Sequence, residues 1–209
     1  SPYKFIQTTF RPATLEERRP EVPTTNQWIV ESTIQSDVEV GDNYLKRCIP
    51  LFQPLEVQMM MAAFSNMETV HIDAYALLLK TLGMPKTEFA AFRDYEEMRS
   101  KADYMHTFGV GTVSDVARTL AMFGAFTEGM ALFASFAMLL NFPRRNKMNG
   151  MGQIVSWSVR DESLHCEGII KLYHAWNRET GAVTRAVRDD IVDVAQTMVG
   201  LEEKFIDLA

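Results

Sequence analysis

Twice in this chain a glutamate and a histidine stand three residues apart inside a long apolar helical pattern: Glu68 with His71, and Glu162 with His165. Side chains at i and i+3 share one face of an α-helix, so each pair points into a common interior. Around the first pair lie Met60, Met61, Phe64, Met67, Ile72, Leu77, Leu78 and Leu79, apolar on nearly every side, as expected of a buried helix. A buried glutamate needs a partner, and a metal ion shared with the histidine provides one. One such pair is a common coincidence. Two of them restrict the chain to folds that bring both helices to one centre.

Two further carboxylates fit that centre. Between Leu120 and Leu140 the single ionisable residue is Glu128, which must be neutral, paired or bound to a cation. Asp37 falls mid-helix beside the apolar residues Trp28, Ile34, Val38 and Leu45, where an aspartate costs helix stability unless it is used. The candidate ligands are therefore Asp37, Glu68, His71, Glu128, Glu162 and His165, drawn from four helices. Two Glu-x-x-His helices joined by one carboxylate from each of two others is the known ligand plan of ferritin-like di-metal proteins. Four carboxylates balance two divalent cations. Oxygen-rich ligation with two imidazoles suits iron or manganese. Iron is the expected metal, with manganese or a mixed pair left open, and the two ions are expected about 3.5–4 Å apart.

Along the chain, residues 1–26 carry Pro2, Pro12, Pro20 and Pro23 and read as an extended arm, leaving 27–209 as one helical domain. Thr25 or Asn26 caps a helix running to about Cys48, and Pro54 opens a second that ends at Gly83. A third is expected over 87–107, with Glu88, Glu96, Glu97 and Lys101 on its wetter face. Ser114 with Asp115 caps a fourth, closed by Pro143. A basic turn over 143–152 leads to a fifth helix reaching about Asn177. The sixth, from about Thr184, places Val187, Ile191, Val194, Met198, Leu201 and Phe205 at helical spacing. No strand pattern of any length is present. The expected fold is an all-α ferritin-like bundle.

Composition narrows the function classes. A net charge of -6 gives no general drive toward nucleic acid or an anionic membrane. Cys48 and Cys166, with no CxxC, suit a reducing cytoplasm, and Cys166 reads as a small core residue beside His165. Charges or helix breaks are expected to interrupt every apolar stretch of membrane-spanning length.

At METVHIDAY, FTEGMALFASF and RDESLH the sequence resembles the small, radical-generating subunit of class I ribonucleotide reductase, in pattern from about Asn26 to Ala209. Asp37 lies 31 residues before Glu68 and Glu128 lies 34 before Glu162, as in that family. The resemblance implies that Tyr75, four residues after His71, bears the radical. It implies that Asp161 links the metal site, through His71, to the radical-transfer route, and that Leu132 and Phe136 wall in the radical. It further implies a homodimer, a large catalytic subunit as partner in deoxyribonucleotide synthesis, and an auxiliary flavoprotein if the metal is manganese. The family's tryptophan upstream of the aspartate ligand has no counterpart here, and Trp28 does not take its role. The family's later segment, with a tail that docks on the large subunit, lies outside the sequence.

Two other functions share this ligand logic. One is a two-metal oxidase of a small organic substrate, a group that usually has Glu at the first ligand position. The other is a ferritin-like iron-binding bundle, which needs no buried tyrosine one turn beyond the histidine. Asp37 together with Tyr75 favours the radical-generating subunit.

Overall fold

The computed structural model describes residues 25–83 and 95–208, all helices and connecting turns, with no strand among them. Helix α1 (Thr25–Asn43) continues through a π-helical turn, Tyr44–Cys48, into Ile49–Leu51. Helix α2 (Leu55–Thr81) follows Pro54, whose extended backbone starts it, and it stops before Gly83, which takes the left-handed conformation at φ 79°. Helix α3 is Glu96–His106. Helix α4 (Val113–Leu120), a π-helical stretch (Ala121–Ala131) and α5 (Leu132–Leu140) form one continuous rod. Helix α6 (Asn149–Thr180) ends at Gly181, and α7 (Arg185–Leu208) closes the bundle. The architecture is the expected all-α, ferritin-like bundle.

Helix α1 packs most extensively on α2, and α6 lies along the π-helical stretch. Two glycines permit these approaches. A Cβ on Gly124 would collide with Ile169 of α6, and one on Gly168 would stand 2.8 Å from the Phe64 ring of α2. Two large apolar clusters form beside a smaller one around Ala117, Ala182, Val183 and Val187. One gathers Tyr75, Leu78, Leu132, Phe136 and Val155; the other gathers Tyr44, Phe64, Met122, Ile169 and Met198. Full burial of each side chain of this size stabilises the fold by about 1.5–3 kcal/mol.

Several sequence expectations change. The fourth helix is capped by Thr112, not Ser114: the Thr112 hydroxyl accepts from Asp115 N–H while the Asp115 carboxylate accepts from Thr112 N–H. Helix α6 starts at Asn149, shortening the basic turn. Val38 and Leu45 leave the proposed apolar stripe and face outward. Helix α2 is not buried all round, since Leu55, Met59 and Val70 are exposed.

Lys101 is not on a wet face at all. It is buried, and its ammonium donates to both Glu202 oxygens at 2.8 and 3.1 Å. The rod over Val113–Arg145 is long and apolar enough to cross a membrane by length and composition, contrary to expectation. Here it packs against α6 and α7 and carries Glu128 on a buried position. Most of the arm assigned to 1–26, and the expected start of the third helix at Thr87, lie outside the described residues.

Candidate metal centre

Four helical segments each present part of one acidic cluster. Asp37 comes from α1, Glu68 and His71 from α2, Glu128 from the π-helical stretch, and Glu162 and His165 from α6; all six side chains are buried. The i, i+3 spacing sets each Glu-His pair on one inward face. The π-helical stretch is wider than an α-helix, a distortion common where a side chain must be re-aimed at a site.

The donor atoms converge. His71 Nδ1 stands 3.0 Å from Glu162 Oε1 and 3.5 Å from Glu68 Oε2. His165 Nδ1 stands 3.0 Å from Glu68 Oε1, 3.5 Å from Glu128 Oε1 and 3.6 Å from Glu162 Oε2. The ligand atoms fall into two overlapping sets, Asp37–Glu68–His71–Glu162 and Glu68–Glu128–Glu162–His165, each within 4.8 Å of one another. Glu68 and Glu162 belong to both, as carboxylates shared between two ions would.

These atoms also lack other partners. Among the described residues, every buried side-chain nitrogen or oxygen without a hydrogen bond belongs to these six residues, apart from Asn43 Oδ1. Each such atom would cost about 1–3 kcal/mol if left unsatisfied. Hard, anionic, convergent and otherwise unpartnered, the donor set fits two divalent cations.

The electrostatics agree. Burial pushes the Asp37 carboxyl well above its usual range, and the neighbouring Glu68 adds to the push. Burial likewise lifts Glu128 to about 8, against the pull of His165. Burial opposes charge on His71, yet the Glu162 and Glu68 carboxylates raise it to about 11; Glu128, Glu162 and Glu68 raise His165 to about 12 against the same penalty. Glu162 also pays for burial, but contact with both histidines holds it below the ordinary carboxylate range. Protons and metal ions compete for the same atoms here.

The surrounding residues orient the ligands. Asp161 Oδ2 lies 3.3 Å from His71 Nε2, on the ring edge opposite the cluster. With Nε2 turned toward Asp161, Nδ1 is the ring nitrogen that faces the cluster. The other Asp161 oxygen accepts from Arg160 at 3.0 and 3.1 Å, and that guanidinium reaches the surface. Tyr75 is fully buried, and its hydroxyl donates to Ser158 Oγ at 3.0 Å. Leu132 and Phe136 belong to the same apolar cluster as Tyr75. A cavity of about 460 Å³ opens between the rod and α6, lined by Phe133, Phe136, Cys166 and Ile170, and reaches Glu128 and Glu162. Cys166 borders this cavity, outside both ligand sets.

Two residues escaped the sequence reading of the site. Tyr44 donates to Glu128 Oε1 at 2.7 Å, and Ser158 receives Tyr75. Helical arithmetic held a signal for each. Tyr44 lies two turns after Asp37, and Ser158 one turn before Glu162.

A probable ribonucleoside-diphosphate reductase small subunit of Invertebrate iridescent virus 6 is 45% identical over 83% of this chain and 54% of its own length. A second, from Invertebrate iridescent virus 3, is 35% identical over 84% of this chain and 51% of its own. The chain thus spans about half the length of these curated relatives. A crystal structure described as a "putative class I ribonucleotide reductase" of Bacillus halodurans superposes with a TM-score of 0.82 at 16% identity, covering 97% of this chain and 79% of that one. The dimanganese(II) NrdF of Streptococcus sanguinis gives a TM-score of 0.72 at 17% identity, over 98% and 76%. At such identity both show the shared fold. The family model for the ribonucleotide reductase small chain matches residues 22–209, and the chain belongs to that family.

Proposed function

We propose that this chain belongs to the radical-generating small subunit of an aerobic ribonucleotide reductase, an oxidoreductase. The observation that carries the reading is six buried, mutually facing ligands with a fully buried tyrosine, Tyr75, one turn beyond His71. Asp37, Glu68, His71, Glu128, Glu162 and His165 would hold two metal ions. Bound there, the ions would supply the one-electron oxidising chemistry, with dioxygen or a related species as the oxidant. Tyr75 would supply one electron and one proton to the reduction of the oxidant, while the Ser158 hydroxyl, which accepts the phenol's hydrogen bond, holds its oxygen in place. Leu132 and Phe136 exclude water and reductants from the phenoxyl ring. Asp161 fixes the His71 imidazole and connects it toward the radical-transfer route.

Iron is the proposed metal, with manganese or a mixed pair as the alternatives. A homodimer, working in the cytoplasm with a large catalytic subunit that consumes the radical to make deoxyribonucleotides, completes the proposal. A flavoprotein would deliver the oxidant if the metal is manganese. The test is paramagnetic resonance of the full-length protein after loading with iron(II) or manganese(II) and oxidation. A tyrosyl radical absent from Tyr75→Phe supports the reading; an unchanged radical spectrum in that variant defeats it.

A second reading, a two-metal oxidase of a small organic molecule, draws support from the apolar cavity that reaches Glu128 and Glu162. Turnover of a soaked substrate without any radical on Tyr75 would favour it.

A further inference from the structure

Two buried tyrosines flank the cluster, and they are held differently. Tyr75 donates to a serine, whereas Tyr44 donates directly to a ligand carboxylate, Glu128 Oε1, at 2.7 Å. That length is the ordinary one for a well-formed O–H···O hydrogen bond. Tyr44 is 1% exposed, so no water competes for its hydroxyl. Its ring is fixed by Phe64 at 6.0 Å and meets the His165 imidazole edge-on at 6.4 Å. The tyrosine therefore touches both Glu128 and His165, the two ligands that belong to one metal set and not the other.

The backbone is shaped for this contact on both sides. Tyr44 opens one π-helical turn and Glu128 sits inside another, and the hydrogen bond joins them across 84 residues of sequence. Such turns are rare and concentrate where a side chain has to be re-aimed. Glu128 Oε2 is buried without a hydrogen bond, so the phenol occupies one oxygen and leaves the other unpartnered. The Asp37 half of the centre is supported differently: Asp161 stands on its histidine, and Asp37 Oδ2 has no donor. Among the described residues, no carboxylate faces the far nitrogen of His165 as Asp161 faces His71.

We infer that Tyr44 is a positioning residue for one half of the metal centre, holding Glu128 by a single oxygen so that the ion on the Glu128–His165 side is bound in a one-oxygen mode. This rests on the two-metal reading of the site. A carboxylate engaged at one oxygen by a phenol is a poor chelator, and it keeps a coordination position open toward the cavity that Glu128 lines. The two halves of the centre are thereby inequivalent.

The experiment is manganese(II) binding to the full-length protein, followed by the resonance signal of free and bound ion, for wild type and Tyr44→Phe. The substitution keeps the ring and removes the hydroxyl. Wild type should take two ions per chain. The variant should lose about 10- to 100-fold in affinity for one ion, the range seen when such supporting groups are removed, and leave the other within about 2-fold. Infrared spectra should show one carboxylate band moving toward the two-oxygen binding position. Equal affinities in variant and wild type would overturn the inference, as would equal weakening of both ions, the mark of a merely structural role. No uptake by wild type would instead sink the two-metal reading itself. If Tyr44→Phe does not fold, Tyr44→Met, which fills the space with a flexible apolar chain, takes the same measurement with the same deciding outcomes.

Discussion

Tyr75 and Ser158 are joined by a buried hydrogen bond, phenol to hydroxyl at 3.0 Å, and both residues are at most 1% exposed. The tyrosine next to the cluster thus has a neutral partner in place of a carboxylate, while α6 supplies Ser158 and the candidate ligands Glu162 and His165 from a single helix. Removing Ser158's hydroxyl leaves a buried phenol unsatisfied. Ser158→Ala should cost about 1–3 kcal/mol of stability, measured by denaturant unfolding. In the oxidised protein it should also shift the high-field resonance spectrum of the radical proposed on Tyr75, which would sense hydrogen bonding at its oxygen.

Tyr75→Phe removes the same bond from the other side while keeping ring volume. Metal stoichiometry and helical content should persist, and the radical signal should vanish. Loss of both ions in this variant would show that Tyr75 shapes the site and is more than its oxidisable group.

Lys101 and Glu202 form a buried ion pair, with the lysine ammonium also 5.2 Å over the Phe205 ring. Burial pushes the Glu202 carboxyl up, and Lys101 pulls it back. Lys101→Met strands that carboxylate and should destabilise the fold by about 3–5 kcal/mol. The double change Lys101→Met with Glu202→Leu should recover most of the loss. Thermal unfolding of the three proteins decides it.

Metal affinity should rise with pH. The pKa values of His71 and His165 lie near 11 and 12, and that of Glu128 near 8, so below those values each group holds a proton that a metal ion must displace. Lowering pH adds protons and favours release; raising it removes competitors and favours binding. Each proton released on binding gives about a tenfold change in affinity per pH unit. Chelator competition between about pH 6 and pH 8 measures the slope, and a flat profile would contradict the proposed ligand set.

Gly124→Ala places a methyl group against Ile169. The rod must move away from α6, at a cost of about 1–3 kcal/mol. Because Glu128 rides on the same π-helical stretch, metal uptake should weaken along with stability, as binding isotherms would show.

The sequence made this buried cluster readable because carboxylates and imidazoles at helical spacing in apolar stretches need partners to be buried. Glu128 alone in an apolar stretch and the two Glu-x-x-His pairs each carried their own explanation. Pairings between distant helices left no such mark. Lys101 and Glu202 each look like solvated charges until α3 and α7 are brought together. Tyr44 looks like packing until two π-helical turns aim it at Glu128. The cap of the fourth helix reads two residues late from sequence because Ser114 and Thr112 both suit a helix start, and Asp115 answers the one three positions before it.

The six candidate ligands extend from residue 37 to residue 165, so no early fragment of the chain can present the complete centre. A nascent or clipped chain that lacks α6 has lost Glu162 and His165, and with them a member of each ligand set. Tight capture of two ions therefore certifies that four separate helices have reached their final places. Metal bound there would act as an inspector of assembly, and a chain without it would keep unpartnered donors buried at a cost that favours reopening.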